Sequence, residues 1–203
     1  MIYLGIDPGL TGAVTAIDAR GAVVAWFDTP VAVIIRQTAK GPRRRSDPDV
    51  MAMIAELRSM TSGRDVAQVT LEKAQAMPRI PKKGAGGTRA LGIEQDERGQ
   101  DEGWGALPNF QLGLGYGLWW GIVLTLGLRL ERVAPIAWRS VLLRGLPAGK
   151  ESGRLRACEL FPAYAANLRL KKHHGRADSV LLAEYGRRST AGARATEAVE
   201  TPF

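Results

Sequence analysis

The chain holds a single cysteine, Cys158, and two histidines, His173 and His174, among 203 residues. One thiol excludes an internal disulfide and fits a reducing compartment. Within Leu155-Arg156-Ala157-Cys158-Glu159-Leu160 it reads as a small packed apolar residue. The lack of clustered Cys and His also excludes a conventional zinc site. Positive charge is missing from Met1 to Ala19, where no Lys, Arg or His occurs, and charge of either sign is missing from Asn109 to Leu128. The second stretch has the length of a bilayer span. Asn109, Gln111 and Thr125 dilute it and nothing else in the chain looks membranous, so a buried helix is expected. There is no internal repeat. A leader peptide is not expected, because a strand pattern begins at Ile2 with no basic segment before it.

What the chain has in excess is positive charge. The formal net charge is +8 and the isoelectric point is about 10.1. That balance points to a polyanionic partner, nucleic acid or an anionic membrane surface, with a merely basic soluble enzyme as the alternative. The length suits one domain with a real core, and 45% hydrophobic with 24% charged residues is a globular profile.

Ile2 to Asp7, Gly12 to Asp18 and Val23 to Asp28 read as three strands, with Arg20-Gly21 as a hairpin turn. A basic loop, Lys40 to Arg45, follows. Asp47 is the expected N-cap of a helix opened by Pro48, with Val50, Met53, Ile54, Leu57 and Met60 on its apolar face and Gly63 at its end. Val66 to Glu72 is a strand. Residues 73–108, rich in Gly and Pro, read as a long mobile loop. The uncharged helix from Asn109 to Leu128 carries Gly113, Gly117 and Gly121 four apart, a stripe suited to the sheet or to a second subunit. Arg129 to Ala134 is a strand. Lys150 to Phe161 and His174 to Arg188 are helices, and residues 189–203 form a small, polar tail expected to be disordered. The order implies an α/β fold with a mixed sheet in a single domain over residues 1–188.

Asp7 is the residue that this pattern does not explain by packing. It ends an apolar strand and precedes Pro8-Gly9-Leu10-Thr11-Gly12, with no cation nearby in sequence. An ionised carboxylate in such surroundings needs a cation or donors. Glu72 ends another strand in the same manner, and Asp178 lies near the start of an apolar helix, with His174 four residues before it. Each alone has an ordinary reading: a turn residue, a solvated strand end, a helix-dipole partner. Together, as hard oxygen donors, they suit Mg²⁺ or Mn²⁺.

Ile6-Asp7-Pro8-Gly9-Leu10-Thr11-Gly12, the Leu71-Glu72 strand end and Gly175-Arg176-Ala177-Asp178-Ser179-Val180-Leu181-Leu182 resemble the RuvC-like Holliday junction resolvases. Pro135 with Trp138-Arg139, and a helix opened by Lys150 and ended by Leu160-Phe161-Pro162, resemble the phage-type members. The resemblance spans Met1 to about Arg188. It implies a ribonuclease H-like fold with a mixed five-stranded sheet flanked by helices, and a homodimer, here expected through residues 109–128. It also implies a cytoplasmic setting in a bacterial or phage-infected cell and paired symmetric nicking of four-way DNA. The resemblance makes Asp7, Glu72 and Asp178 catalytic ligands of two Mg²⁺ or Mn²⁺ ions about 4 Å apart, with Asp7 shared between them. The family's fourth group, Asp or His, stands three residues before the last Asp. Gly175 holds that place here, so His174 is the candidate, with His173 behind it. The loop position that is aromatic in bacterial members is Gln75, which moves base stacking to Met77 or Trp104. Phosphate contacts are expected from Arg43, Arg44 and Arg45, from Arg79, Lys82, Lys83 and Arg89, and from Lys171, Lys172 and Arg176.

Other readings are weaker. The Asp-Pro-Gly-Leu-Thr-Gly turn also resembles the phosphate loop of the actin and sugar-kinase superfamily, but that machinery needs two domains. The Gly113-Leu114-Gly115-Tyr116-Gly117 run has the wrong spacing for a dinucleotide loop and no strand before it. The alternative in another class is a branched-DNA-binding protein of the same fold, non-catalytic or differently specific.

Overall fold

The computed structural model describes residues 1–38, 41–75, 106–147, 149 and 151–200. Ile2–Ile6 (β1), Ala13–Asp18 (β2) and Val23–Asp28 (β3) form an antiparallel meander. Val31–Thr38 (β4) and Gly41–Pro48 (β5) pair with each other as a separate two-stranded hairpin. After helix α1 (Val50–Thr61), Val66–Glu72 (β6) pairs parallel to β1. Helix α2 (Ala106–Thr125) leads to Leu130–Val133 (β7), parallel to β6. The main sheet is therefore mixed and five-stranded, in the order β3-β2-β1-β6-β7. Helices α3 (Pro135–Leu142), α4 (Glu151–Leu160) and α5 (His174–Glu200) follow. Short 3-10 segments at Pro162–Leu168 and Lys171–His173 lie between the last two.

Both faces of the sheet are covered. Leu4 and Ile6 of β1, Val14 and Ala16 of β2, and Val69 and Leu71 of β6 pack on Met53 and Leu57 of α1 and on Trp119 and Val123 of α2. Tyr3 and Ile17, on the opposite face, pack with Trp138 of α3, Ala157 of α4, and Val180 and Leu181 of α5. This is the period-2 alternation of strands buried on both sides. Helix α5 sits deep on the sheet because small residues line the contact. A Cβ added at Gly5 would meet the Ser179 carbonyl oxygen at 2.0 Å, and one at Gly186 would meet Thr70 Oγ1 at 2.2 Å. Ser179 Oγ and Thr15 Oγ1 share a buried hydrogen bond of 2.7 Å.

Three expectations need correction. Arg43 to Arg45 belong to strand β5 rather than to a loop. Pro42 and Pro48 mask the strand signal, but the β-branched run Val31–Ile35 supplies a partner for the edge. Asp47 does not cap α1; it pairs with Arg45 at 2.7 Å, and the cap is Asp49, whose Oδ1 accepts from Ala52 N–H at 3.0 Å. Residues 189–200 continue α5 as helix, in keeping with the propensity of Ala191, Ala193, Arg194, Ala195 and Glu197. Of the two partners left open for the glycine stripe of α2, the sheet is not the one observed: among the described residues a Cβ at Gly113, Gly117 or Gly121 meets nothing within 4 Å, whereas one at Gly115 would meet the Pro8 carbonyl oxygen at 2.5 Å. No helix among the described residues is long and apolar enough to cross a membrane. Of the expected 73–108 loop, residues 76–105 lie outside the described residues, and so do Lys40 and Lys150.

Candidate active site

Strand alternation decides where Asp7 points. Tyr3 and Gly5 face α5, and Asp7 is next in that series, just past the end of β1. On β6, Gln68 and Thr70 face α5, with Thr190 Oγ1 donating to Gln68 Oε1 at 3.0 Å; Glu72 is next in that series. The parallel register pairs Ile6 with Leu71, so Asp7 and Glu72 stand side by side at the same end of neighbouring strands, on one face. Asp178 precedes Ser179, the residue pressed against Gly5, and so reaches the same place from α5. A Cβ at Gly153 of α4 would come within 2.8 Å of Asp178 Oδ1, so α4 forms one wall.

The three carboxylates feel one another. Burial, then the charge of Asp7, pushes the Asp178 carboxyl up to about 8. Burial and the charge of Asp7 also raise Glu72. Burial raises Asp7, opposed by the Gly9 N–H and by the charges of His174 and Arg139. Gly9 N–H donates to Asp7 Oδ1 at 3.2 Å, and Trp138 Nε1–H donates to Glu72 Oε1 at 2.9 Å. Arg139 bridges the other two: its Nη2 lies 3.2 Å from Asp178 Oδ2 and 3.5 Å from Glu72 Oε1. Its guanidinium also lies 5.0 Å from the Trp138 ring centroid. Trp138 and Arg139 stand out in the sequence only as a motif. Their position follows from β7, which pairs Val133 with Glu72 and so starts α3 beside that carboxylate.

Gly175, at the place where the resemblance expects Asp or His, is pressed into the turn after β1. A Cβ there would meet the Thr11 carbonyl oxygen at 2.3 Å, Gly12 Cα at 2.7 Å and Asp7 Oδ2 at 3.1 Å. No side chain fits. His174, the first residue of α5, is exposed, and its Nε2 stands 3.5 Å from Thr11 Oγ1 above the same turn. His173 points elsewhere, with Nδ1 accepting from the Leu170 N–H at 3.4 Å.

The expected phosphate contacts separate into groups. Lys171 and Lys172 are exposed on the 3-10 turn that leads into α5. Arg176 is turned inward: it pairs with both oxygens of Asp28, donates to the Asn167 carbonyl oxygen and lies 4.3 Å over the Trp26 ring. Its guanidinium is committed within the protein. Arg44 is exposed and Arg45 half-buried on β5, and the Arg43 side chain lies outside the described residues. Arg79, Lys82, Lys83 and Arg89 also lie outside them, as do Met77 and Trp104, whereas Gln75 is exposed just after the Glu72 strand.

Three partly buried carboxylates stand against one guanidinium, an excess of negative charge; burial first, and the charge of Asp7 second, account for the raised Asp178 value. A hard divalent cation fits that donor set. Among the described residues, no three Asp, Glu, His or Cys side chains yet converge as ligands of one ion. Arg139 is ion-paired with Glu72 and Asp178 but not with Asp7, so the oxygens of those two carboxylates are occupied by the guanidinium.

No protein-family model matches the chain, and no curated protein matches it. Solved structures do. Thermus thermophilus RuvC in complex with a Holliday junction substrate is 14% identical over 95% of this chain and 96% of that one, with a TM-score of 0.52. A second Thermus thermophilus RuvC structure is 16% identical over 95% and 97%, with a TM-score of 0.45. The first likeness shows the fold: a ribonuclease H-like mixed sheet flanked by helices.

Proposed function

We propose that this protein is a divalent-metal-dependent endonuclease that resolves four-way DNA junctions by paired symmetric nicks. The observation that carries this is the meeting of Asp7, Glu72 and Asp178 at one end of a sheet whose fold is that of a junction-bound RuvC. Asp7, Glu72 and Asp178 would hold two Mg²⁺ or Mn²⁺ ions, which when bound supply water activation and stabilisation of the leaving oxygen. Gly9 fixes the Asp7 carboxylate, and Trp138 fixes that of Glu72. Arg139, half-exposed at the rim, offers its guanidinium to a phosphate oxygen once released from the carboxylates. His174, exposed over Thr11, would be the fourth group, as a metal ligand or as a base for the attacking water.

Two nicks placed symmetrically need two active sites, and a two-fold dimer provides them. Phe110, Leu114, Trp120 and Leu124 are exposed on α2, beside the open glycine stripe. That face is the proposed dimer contact, as an apolar patch of this kind suits a partner. Leu124→Glu should convert a dimer seen by light scattering into a monomer with an unchanged circular dichroism spectrum. The function itself is tested with a synthetic four-way junction and Mg²⁺ or Mn²⁺. Paired nicks at symmetric positions on opposing strands support it; binding without such nicks favours the non-catalytic DNA-binding reading.

A further inference from the structure

The β4–β5 hairpin is an isolated ribbon. Among the described residues, the two strands, eight residues each, pack extensively only on each other. Isolated two-stranded ribbons are marginal, and an exposed aliphatic edge invites a partner. Val31, Val33 and Ile35 share one face of the ribbon and are 39%, 57% and 59% exposed. Arg44 stands opposite Ile35 on that face, exposed and outside every ion pair among the described residues. The other face pairs Ile34 with Arg45, whose charge Asp47 meets at 2.7 Å. Residues 31–48 contain five basic side chains (Arg36, Lys40, Arg43, Arg44, Arg45) and one acidic, Asp47.

The root of the ribbon lies at the active-site end of the sheet. Thr29 N–H donates to the Gly12 carbonyl oxygen at 2.9 Å, in the same turn that carries Asp7. Asp49 N–H donates to the Pro30 carbonyl oxygen at 3.0 Å and closes the base of the hairpin. Asp28, the last residue of β3, is paired to Arg176 two residues before Asp178. A basic, aliphatic ribbon therefore leaves the sheet directly beside the acidic trio.

We infer that the β4–β5 hairpin is a DNA-gripping arm that lies along the duplex next to the scissile phosphate, with Val33 and Ile35 toward the groove and Arg44 on the backbone. This rests on the proposed nuclease activity and names the part of the substrate that the site's neighbour holds. A major groove admits a two-stranded β-ribbon, and aliphatic side chains there meet thymine methyl groups. Eight extended residues reach about 26 Å, roughly the rise of seven or eight base pairs. The charge of the ribbon selects a polyanion over a second copy of the same basic hairpin, which would repel it.

The test uses the full chain, a synthetic four-way junction and a linear duplex, with Ca²⁺ in place of Mg²⁺, and two variants: Arg43→Gln/Arg44→Gln/Arg45→Gln and Val33→Ser/Ile35→Ser. The arginine variant should bind both DNAs about tenfold more weakly near 0.1 M salt. Its slope of log-affinity against log-salt should be shallower by about 1 for each phosphate no longer neutralised. The aliphatic variant should weaken binding with its slope unchanged. Both should keep the wild-type thermal midpoint, because among the described residues the hairpin packs extensively on no other element. Unchanged affinity and slope in a wild-type background that nicks junctions would overturn the arm and leave the nuclease reading standing. Hairpin-dependent binding to linear duplex by a protein that never nicks junctions would support the arm and sink the nuclease reading. Loss of dimerisation in the aliphatic variant, with DNA binding unaltered, would make the ribbon a self-association surface and overturn the proposal. A wild-type chain that binds neither DNA would overturn both.

Discussion

Arg139 donates from Nη2 to Asp178 Oδ2 at 3.2 Å, and the same nitrogen stands 3.5 Å from Glu72 Oε1. One guanidinium thus meets two carboxylates that come from different elements and crowd a third. Arg139 is the shared counter-ion of Glu72 and Asp178.

Arg139→Gln should therefore destabilise the metal-free protein at pH 8, where the carboxylates are driven toward ionisation. The carboxylates are 13% and 19% exposed, but Arg139 is 46% exposed, so the loss is set at about 1–2 kcal/mol. That corresponds to a fall of roughly 3–6 °C in the melting temperature in chelator. The fall should shrink at pH 5, where protonated carboxyls need no counter-charge. A pH-independent fall would mean that Arg139 acts through packing.

The pH dependence of the metal-free protein follows from Asp178. Its folded-state value, raised from 3.8 to about 8 by burial and by Asp7, exceeds the unfolded value. Between those values the folded state binds more protons, so stability falls as pH rises from about 4 to about 8. Asp178→Asn should remove its share of that fall, leaving the contributions of Asp7 and Glu72, whose carboxyls burial also raises. Melting curves in chelator between pH 5 and 9 check this. Parallel wild-type and variant profiles would remove Asp178 as the source.

Gly175→Ala tests the fourth corner. Its Cβ would meet the Thr11 carbonyl oxygen at 2.3 Å and Gly12 Cα at 2.7 Å, both on backbone that cannot swing aside. Overpacking of this kind costs about 2–3 kcal/mol. The same Cβ, 3.1 Å from Asp7 Oδ2, should depress cleavage beyond the loss of stability. Denaturant titration with nicking assays on the same preparations separates the two. An alanine variant as stable as wild type would show that α5 has freedom to shift off the turn.

Much of the site is legible in the sequence because β-strands make it so. Ile2–Ile6 and Val66–Glu72 read as strands that each end in an acid, and beyond one irregularity at Ile2 their parallel register, Ile6 with Leu71, places those acids together. Asp178 is legible as an acid near the start of an apolar helix. Arg139 is not legible as the counter-ion, because its role depends on β7 docking beside β6, a pairing between segments far apart in the chain. The hairpin has the sequence of a loop because Gly41, Pro42 and the arginines carry low strand propensity. Its ladder comes from Val31–Ile35 across the turn, and cross-strand pairing overrides local preference there. The impossibility of a side chain at position 175 depends on distances to Thr11 and Gly12 that only the packed helix reveals.

Asp7 is the central carboxylate of the proposed cutting site. Asp7→Asn should bind a four-way junction in Ca²⁺ within about threefold of the wild-type affinity, because phosphate contacts elsewhere supply that affinity, and should yield no nicks in Mg²⁺ or Mn²⁺. Paired nicking by Asp7→Asn at the wild-type rate would contradict the account.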